Sequence, residues 1–176
     1  APETVYHEDI RKFDMSQLAP IDALAFGFPC NDYSVVGEQK GMNGVYGPLY
    51  SYGVKALKLF KPIWFLAENV GGLKNANDGK AFTKIIAELK GAGYTVVPHL
   101  YKFEEYGIPQ ARHRIIIVGI RNDIDVVYRV PSISPYVDVD NSCRTAIEVP
   151  PIPKDALNNE RTKQSPQVIE RLEHIK

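Results

Sequence analysis

The chain has 176 residues, 44% of them hydrophobic, which is enough for one domain with a core of its own. Its 21 basic and 21 acidic side chains cancel, so bulk charge argues neither for nor against a nucleic-acid partner, and any phosphate-binding face must come from local clustering. No apolar run approaches the roughly 20 residues that span a bilayer, the first residues lack a signal-peptide pattern, and Cys30 and Cys143 form neither a zinc spacing nor a disulfide framework. The expectation is a soluble protein of the reduced cytoplasm that holds no metal and does not contact a membrane.

Ile21 to Phe26 reads as a buried strand, followed by a loop containing Gly37, Gly41, Gly44 and Gly47. Leu49, Tyr50, Val54, Ala56, Leu57 and Phe60 then repeat at helical spacing up to Pro62. Ile63 to Ala67 is the next strand and delivers Glu68 to its carboxyl end. Asp78 is placed to cap a helix with Phe82, Ile85, Ile86 and Leu89 on its buried stripe and Gly91 or Gly93 as its stop. Tyr94 to Val97 and the β-branched run Ile115 to Ile120 read as further strands. Strands alternating with helices predict an α/β fold, a largely parallel sheet with helices on both faces. After Arg121, Pro131, Pro135, Pro150, Pro151 and Pro153 predict an irregular segment, with a short helix starting at Ser165-Pro166 and carrying Val168, Leu172 and Ile175 on one face. The expected division is residues 1–123 as a catalytic domain and 124–176 as an irregular segment with a short helix.

Ligands in α/β folds gather outside the carboxyl ends of the strands. Three polar stretches stand at strand boundaries: Pro29-Cys30-Asn31 after the first strand, Glu68-Asn69-Val70 after the second, and Gln110-Ala111-Arg112-His113-Arg114 leading into the last. A lone cysteine after a strand is more often a small buried hydrophobe than a nucleophile, and a strand-end acid or arginine is more often a surface charge. Three such stretches in one chain favour the functional reading. His113, between two arginines, points to the opposite side of a strand and is assigned no role. Cys143 falls in the irregular segment and reads as incidental.

With these three motifs in this order, the stretch from about Glu8 to Asp123 resembles the cytosine-C5 methyltransferase family, whose corresponding motifs are a Pro-Cys loop, Glu-Asn-Val and Gln-x-Arg-x-Arg. The resemblance implies part of a Rossmann-like, S-adenosylmethionine-dependent methyltransferase sheet. It implies transfer of a methyl group to C5 of cytosine in double-stranded DNA, in the manner of bacterial or phage modification enzymes. Cytosine C5 is not nucleophilic by itself. Addition of the Cys30 thiolate to C6, while Glu68 donates a proton or hydrogen bond to N3, makes an enamine whose C5 takes the methyl group; loss of the C5 proton then eliminates Cys30. Arg112 and Arg114 offer planar donors to a base carbonyl or a phosphate, with Arg112 implied to orient the pyrimidine, and the target base must be flipped out of the duplex. By the same resemblance Asp9 and Ile10, Pro29, and Leu49 are cofactor-binding positions for S-adenosylmethionine.

Asn31 stands where the commonest family loop has Gln, and the Gly-rich first motif, the acidic residue of the second and the last two motifs are not found. The strand that precedes Cys30 is therefore expected to be a bare edge. The missing motifs are expected from the rest of a longer polypeptide or from a complementing subunit. The alternatives are a transfer-RNA cytosine methyltransferase with the same residues, a non-catalytic nucleic-acid-binding subunit, and a cysteine hydrolase, for which no histidine is placed by a motif.

Overall fold

A computed structural model of the chain describes residues 5–29, 49–74, 79–148, 150–151, 153, 155–156 and 165–173. The chain packs as two units, residues 1–139 and residues 140–176. The first unit contains, in chain order, β1 (Ala23–Gly27), α1 (Tyr50–Phe60), β2 (Trp64–Val70), α2 (Lys80–Gly91), β3 (Tyr94–Lys102) and β4 (His113–Arg121). These four strands form one sheet in the order β1-β2-β4-β3.

Only the β1–β2 pair is parallel; β4 runs antiparallel to both β2 and β3, which corrects the expectation of a largely parallel sheet. The reason lies in the connections. Residues 28–63, with α1, carry the chain back so that β2 can start at the same end as β1. Between β3 and β4 lie only residues 103–112, whose regular structure is a single 3-10 turn, Phe103–Tyr106, closed by Gly107 at φ 74°. That link is too short for the crossover of a dozen or more residues that a parallel pair needs.

Helix α1 follows the predicted apolar repeat, and it ends where Lys61 turns into the left-handed region at φ 48° ahead of Pro62. Helix α2 buries Ala81, Ile85 and Leu89, with Phe82 and Ile86 partly buried against the same core. Asp78, expected as its cap, lies outside the described residues, and Gly79 occupies the N-cap position. Gly93, at φ 97°, turns the chain from α2 into β3. β3 runs on through Pro98 to Lys102, well past the predicted end at Val97. The proline is tolerated because β3 pairs on one side only, with β4, and the other side needs no N–H donor among the described residues.

Both α1 and α2 pack on the same face of the sheet, where Phe65, Ala67, Ile115 and Ile117 join Val54, Leu57, Ile85 and Leu89 in one core. On the opposite face the described residues of the first unit place no helix, and Trp64 remains 43% exposed. Strand alternation sends Phe65, Ala67 and Asn69 of β2 toward the helices and Trp64, Leu66 and Glu68 the other way.

Gly119 is a close-approach glycine. It pairs with Phe65 across the sheet, and a Cβ added there would fall 2.0 Å from the Phe65 ring. Gly119→Ala is therefore expected to force the ring out of place and destabilise the fold by about 1–3 kcal/mol, read as a lower denaturation midpoint at unchanged slope.

Residues 124–139 are tied to the first unit. The Tyr101 and Tyr128 hydroxyls lie 2.8 Å apart, Tyr106 donates to the Pro131 carbonyl at 3.2 Å, and the Tyr136 ring packs on Tyr106. In the second unit, Ser142 and Asp140 bond the first turn of α3 (Cys143–Glu148), a helix the prolines concealed; Cys143 is exposed at its start. α4 (Pro166–Glu173) starts where Ser165-Pro166 predicted, its first N–H groups donating to the Ser165 carbonyl. Ile175 lies outside the described residues.

Candidate active site

The parallel β1–β2 register sets Gly27 directly beside Glu68, so both strands deliver their carboxyl ends to the same place. The Glu68 carboxylate lies close to Gly27: a Cβ at position 27 would be 3.6 Å from Glu68 Oε2, an ordinary contact. The other carboxylate oxygen, Oε1, accepts from Arg114 Nε at 2.8 Å. Arg114 enters this contact from β4, which sets it opposite Val70 and therefore diagonal to Glu68 on the same face. Its guanidinium is braced from behind, Nη1 donating to the His113 carbonyl at 2.7 Å. The Arg114 side chain is 22% exposed and that of Glu68 41%, so the pair opens onto solvent. Arg114 holds one oxygen of Glu68, and Oε2 faces the end of β1.

The two arginines of the third motif part ways. Arg114 meets Glu68, whereas Arg112 precedes β4, is exposed, and is fixed through its backbone, which donates to the Gln110 carbonyl and accepts from the Phe103 N–H. His113 turns to the other side, as strand alternation requires, and its Nε2 lies 2.6 Å from Glu104 Oε1. Cys30 lies outside the described residues, as does Asn31. The chain is described up to Phe28 and Pro29, so the nucleophile expected from the sequence is bonded to the last of these.

Asn69, to which the sequence reading gave no role, is 2% exposed and is the buried polar side chain among the described residues. Its Nδ2 donates to the Phe28 carbonyl at 3.1 Å, and its Oδ1 accepts from the Val70 N–H at 2.8 Å. A buried amide must find partners, and the packed core supplies both.

Three of the four positions expected to touch the cofactor come together. Ile10, Pro29 and Leu49 line one cavity of about 390 Å³, beside β1 and α1, with Phe26, Phe28 and Tyr52 among its other walls. Asp9, next in the chain to Ile10, is gripped by Arg11, whose Nε lies 3.0 Å from each carboxylate oxygen and whose backbone N–H donates at 2.9 Å. That hydrogen bonding holds its carboxyl down at about 2, against an ordinary 3.8, so it remains a charged acceptor throughout the neutral range. The cavity's size suits a small ligand, and its walls suit an adenine ring. They do not suit the ribose hydroxyls or the amino-acid end of S-adenosylmethionine, for which this apolar lining offers few partners. Among the described residues, no group of three or more His, Cys, Asp or Glu is placed to hold a metal, and no helix is long and apolar enough to cross a membrane.

A sheet of parallel and antiparallel strands with helices packed on one face, an acid–arginine pair at the strand ends and an apolar cavity beside β1 define a mixed α/β protein. Residues 2–176 match the family model of the C-5 cytosine-specific DNA methylases. The chain is 56% identical over 182 aligned residues to the Type II methyltransferase M.BbvI of Brevibacillus brevis, covering 99% of this chain and 48% of that protein. It is 37% identical over 164 residues to the Type II methyltransferase M.NgoFVII of Neisseria gonorrhoeae, covering 88% of this chain and 42% of that protein. A crystal structure of a DNA modification methyltransferase encoded within a prophage (E. coli) shares the fold, with a TM-score of 0.53 at 23% identity over 69% of this chain and 35% of that one. The chain thus belongs to the C-5 cytosine-specific DNA methylase family. It spans about half the length, or less, of the curated relatives it matches.

Proposed function

We propose that this chain carries the base-activating half of a DNA cytosine-C5 methyltransferase of the restriction-modification type, completed by further sequence in the same polypeptide or in a second subunit. The observation that carries the reading is the Glu68–Arg114 pair, set against Gly27 at the end of the strand that leads into Cys30. In this reading the Cys30 thiolate adds to C6 of a flipped cytosine, and Glu68, one oxygen held by Arg114, uses the other to donate to N3. Electron density moves to C5, which takes the methyl group; a base then removes the C5 proton, the Cys30–C6 bond breaks to release the thiolate, and the proton given to N3 returns to Glu68. Arg112, exposed at the mouth of the same motif, is free to hold a phosphate or a base carbonyl.

S-adenosylmethionine supplies the electrophilic methyl group. Ile10, Pro29 and Leu49 would hold its adenine in the cavity they line, with Asp9 accepting from the adenine amino group. Completion from outside is supported by β1, which pairs with β2 alone among the described residues, and by the apolar cavity at its flank. A parallel strand on that edge, with the helix that follows it, would cover both and bring the polar groups the cavity lacks. The 176-residue chain by itself is therefore expected to bind S-adenosylmethionine weakly, with a Kd of about 1 mM or above by isothermal titration. Binding at micromolar concentration would contradict the need for completion.

The reading of the substrate is tested by methyl transfer from tritiated S-adenosylmethionine, using the complete protein on duplex DNA and on transfer RNA. Label in the cytosines of DNA is expected. Label in RNA alone would overturn the reading in favour of a transfer-RNA enzyme, and label in neither would favour a non-catalytic subunit.

A further inference from the structure

We infer that Tyr106 and Tyr136 are positioning residues for Arg112, clamping the link between β3 and β4 that carries it. Arg112 is the last residue of that link, immediately before β4, and is exposed. Contacts within the link and its flanks hold it loosely. The Phe103 N–H donates to the Arg112 carbonyl at 3.1 Å, the Ile108 N–H donates to the Phe103 carbonyl at 3.2 Å, and His113 Nε2 lies 2.6 Å from Glu104 Oε1. A solvent-facing pair such as the last contributes little rigidity.

A second set of contacts comes from residues 124–139, which return to the link as a strap. Tyr106 Oη donates to the Pro131 carbonyl at 3.2 Å, and its ring packs on that of Tyr136, with centroids 6.2 Å apart. At Gly107, next in the chain, an added Cβ would meet Tyr136 Cδ1 at 3.2 Å and Val139 Cγ1 at 3.5 Å, so the strap lies directly against the backbone of the link. The strap is itself anchored to the sheet. The Tyr128 hydroxyl lies 2.8 Å from that of Tyr101, a β3 residue only 8% exposed, and the Tyr101 ring stands 5.4 Å from the Tyr106 ring. Tyr106 is thus held between a buried ring of the sheet and a ring of the strap. A connection that merely joined two strands would be free to move on the surface. Rigid placement serves a group that must meet its ligand in one geometry, and a guanidinium already held loses less freedom when it takes a phosphate or a base carbonyl.

The inference rests on the proposed reading of Arg112 as a group that holds DNA, and a double-mutant cycle in the complete protein separates the two. The Kd for duplex DNA is measured by fluorescence anisotropy at fixed salt, with KM and kcat alongside. Arg112→Ala is expected to raise Kd by about 10-fold and Tyr136→Ala by about 5-fold, the latter loss falling on KM rather than kcat. Combined with Arg112→Ala, Tyr136→Ala should add nothing further, because a residue that acts through the arginine has nothing left to position. Tyr106→Phe keeps the ring and removes the bond to the Pro131 carbonyl; it should raise Kd by about 3-fold, again with no added effect beside Arg112→Ala. This milder variant decides the matter if Tyr136→Ala does not fold. An unchanged Kd in Arg112→Ala would contradict the reading of Arg112 and the inference with it. If Arg112→Ala weakens binding while the tyrosine variants leave Kd unchanged, or add their full effect in its presence, the inference alone is overturned.

Discussion

Cys30→Ala in the complete protein is expected to lower methyl transfer to DNA by at least about 10³-fold, because without the C6 adduct C5 has no means of becoming nucleophilic. The loss should fall on kcat. Among the described residues the apolar cavity beside β1 and the Glu68–Arg114 pair are built from other side chains, which Cys30→Ala leaves in place, so S-adenosylmethionine and DNA should bind nearly as before. Cys143→Ser is the internal control: this cysteine is exposed at the start of α3 in the second unit, and its replacement should leave the rate within about 2-fold. Rates measured at saturating DNA and cofactor check the point. A Cys30→Ala enzyme that keeps a tenth or more of its activity would exclude covalent catalysis through this residue.

The second large effect is expected at Glu68. Removing the proton donor to N3 in Glu68→Ala should cost about 10²–10⁴-fold in kcat, the usual reach of general-acid assistance. Glu68→Gln should cost less, since its amide can still donate a hydrogen bond without giving up the proton. The ion pair adds a finer expectation that separates the two arginines. Arg114 sets the Glu68 carboxylate from 2.8 Å, so Arg114→Ala should let that group drift and lower kcat by about 10²-fold. Arg112, exposed and held through its backbone, should act mainly on KM for DNA. Steady-state kinetics of the two variants check this, and equal kcat losses would argue against the division of labour.

That division shows where the sequence was legible and where it was not. Glu68 could be placed at a strand end because the apolar run before it is unmistakable, and α1 and α2 declared themselves through buried stripes that the structure reproduces at Val54, Leu57, Ile85 and Leu89. Which arginine reaches Glu68 depends on the pairing of Val70 with Arg114, a register between strands far apart in the chain, and no local pattern encodes it. Strand alternation did show that His113 and Arg114 face opposite ways, and His113, to which no role was assigned, meets Glu104. The direction of β4 was readable in principle, since the ten residues between β3 and β4 leave no space for a crossover helix. β3 was truncated because Pro98 reads as a stop unless the strand is known to lie at an edge. Asn69 was overlooked for a different reason. A polar residue beside a catalytic candidate looks exposed, and only the packed core reveals that its amide is enclosed and bonded at both ends.

The account stands on a bond between one sulfur and one pyrimidine carbon, and the most direct measurement is capture of that bond. A duplex carrying 5-fluorocytosine at the target position is incubated with the complete protein and S-adenosylmethionine, then digested and mapped by mass spectrometry. Fluorine at C5 cannot leave as a proton does, so the adduct should persist, with the modified base attached to the peptide containing Cys30. Active enzyme that forms no adduct, or an adduct on any other residue, would contradict the account.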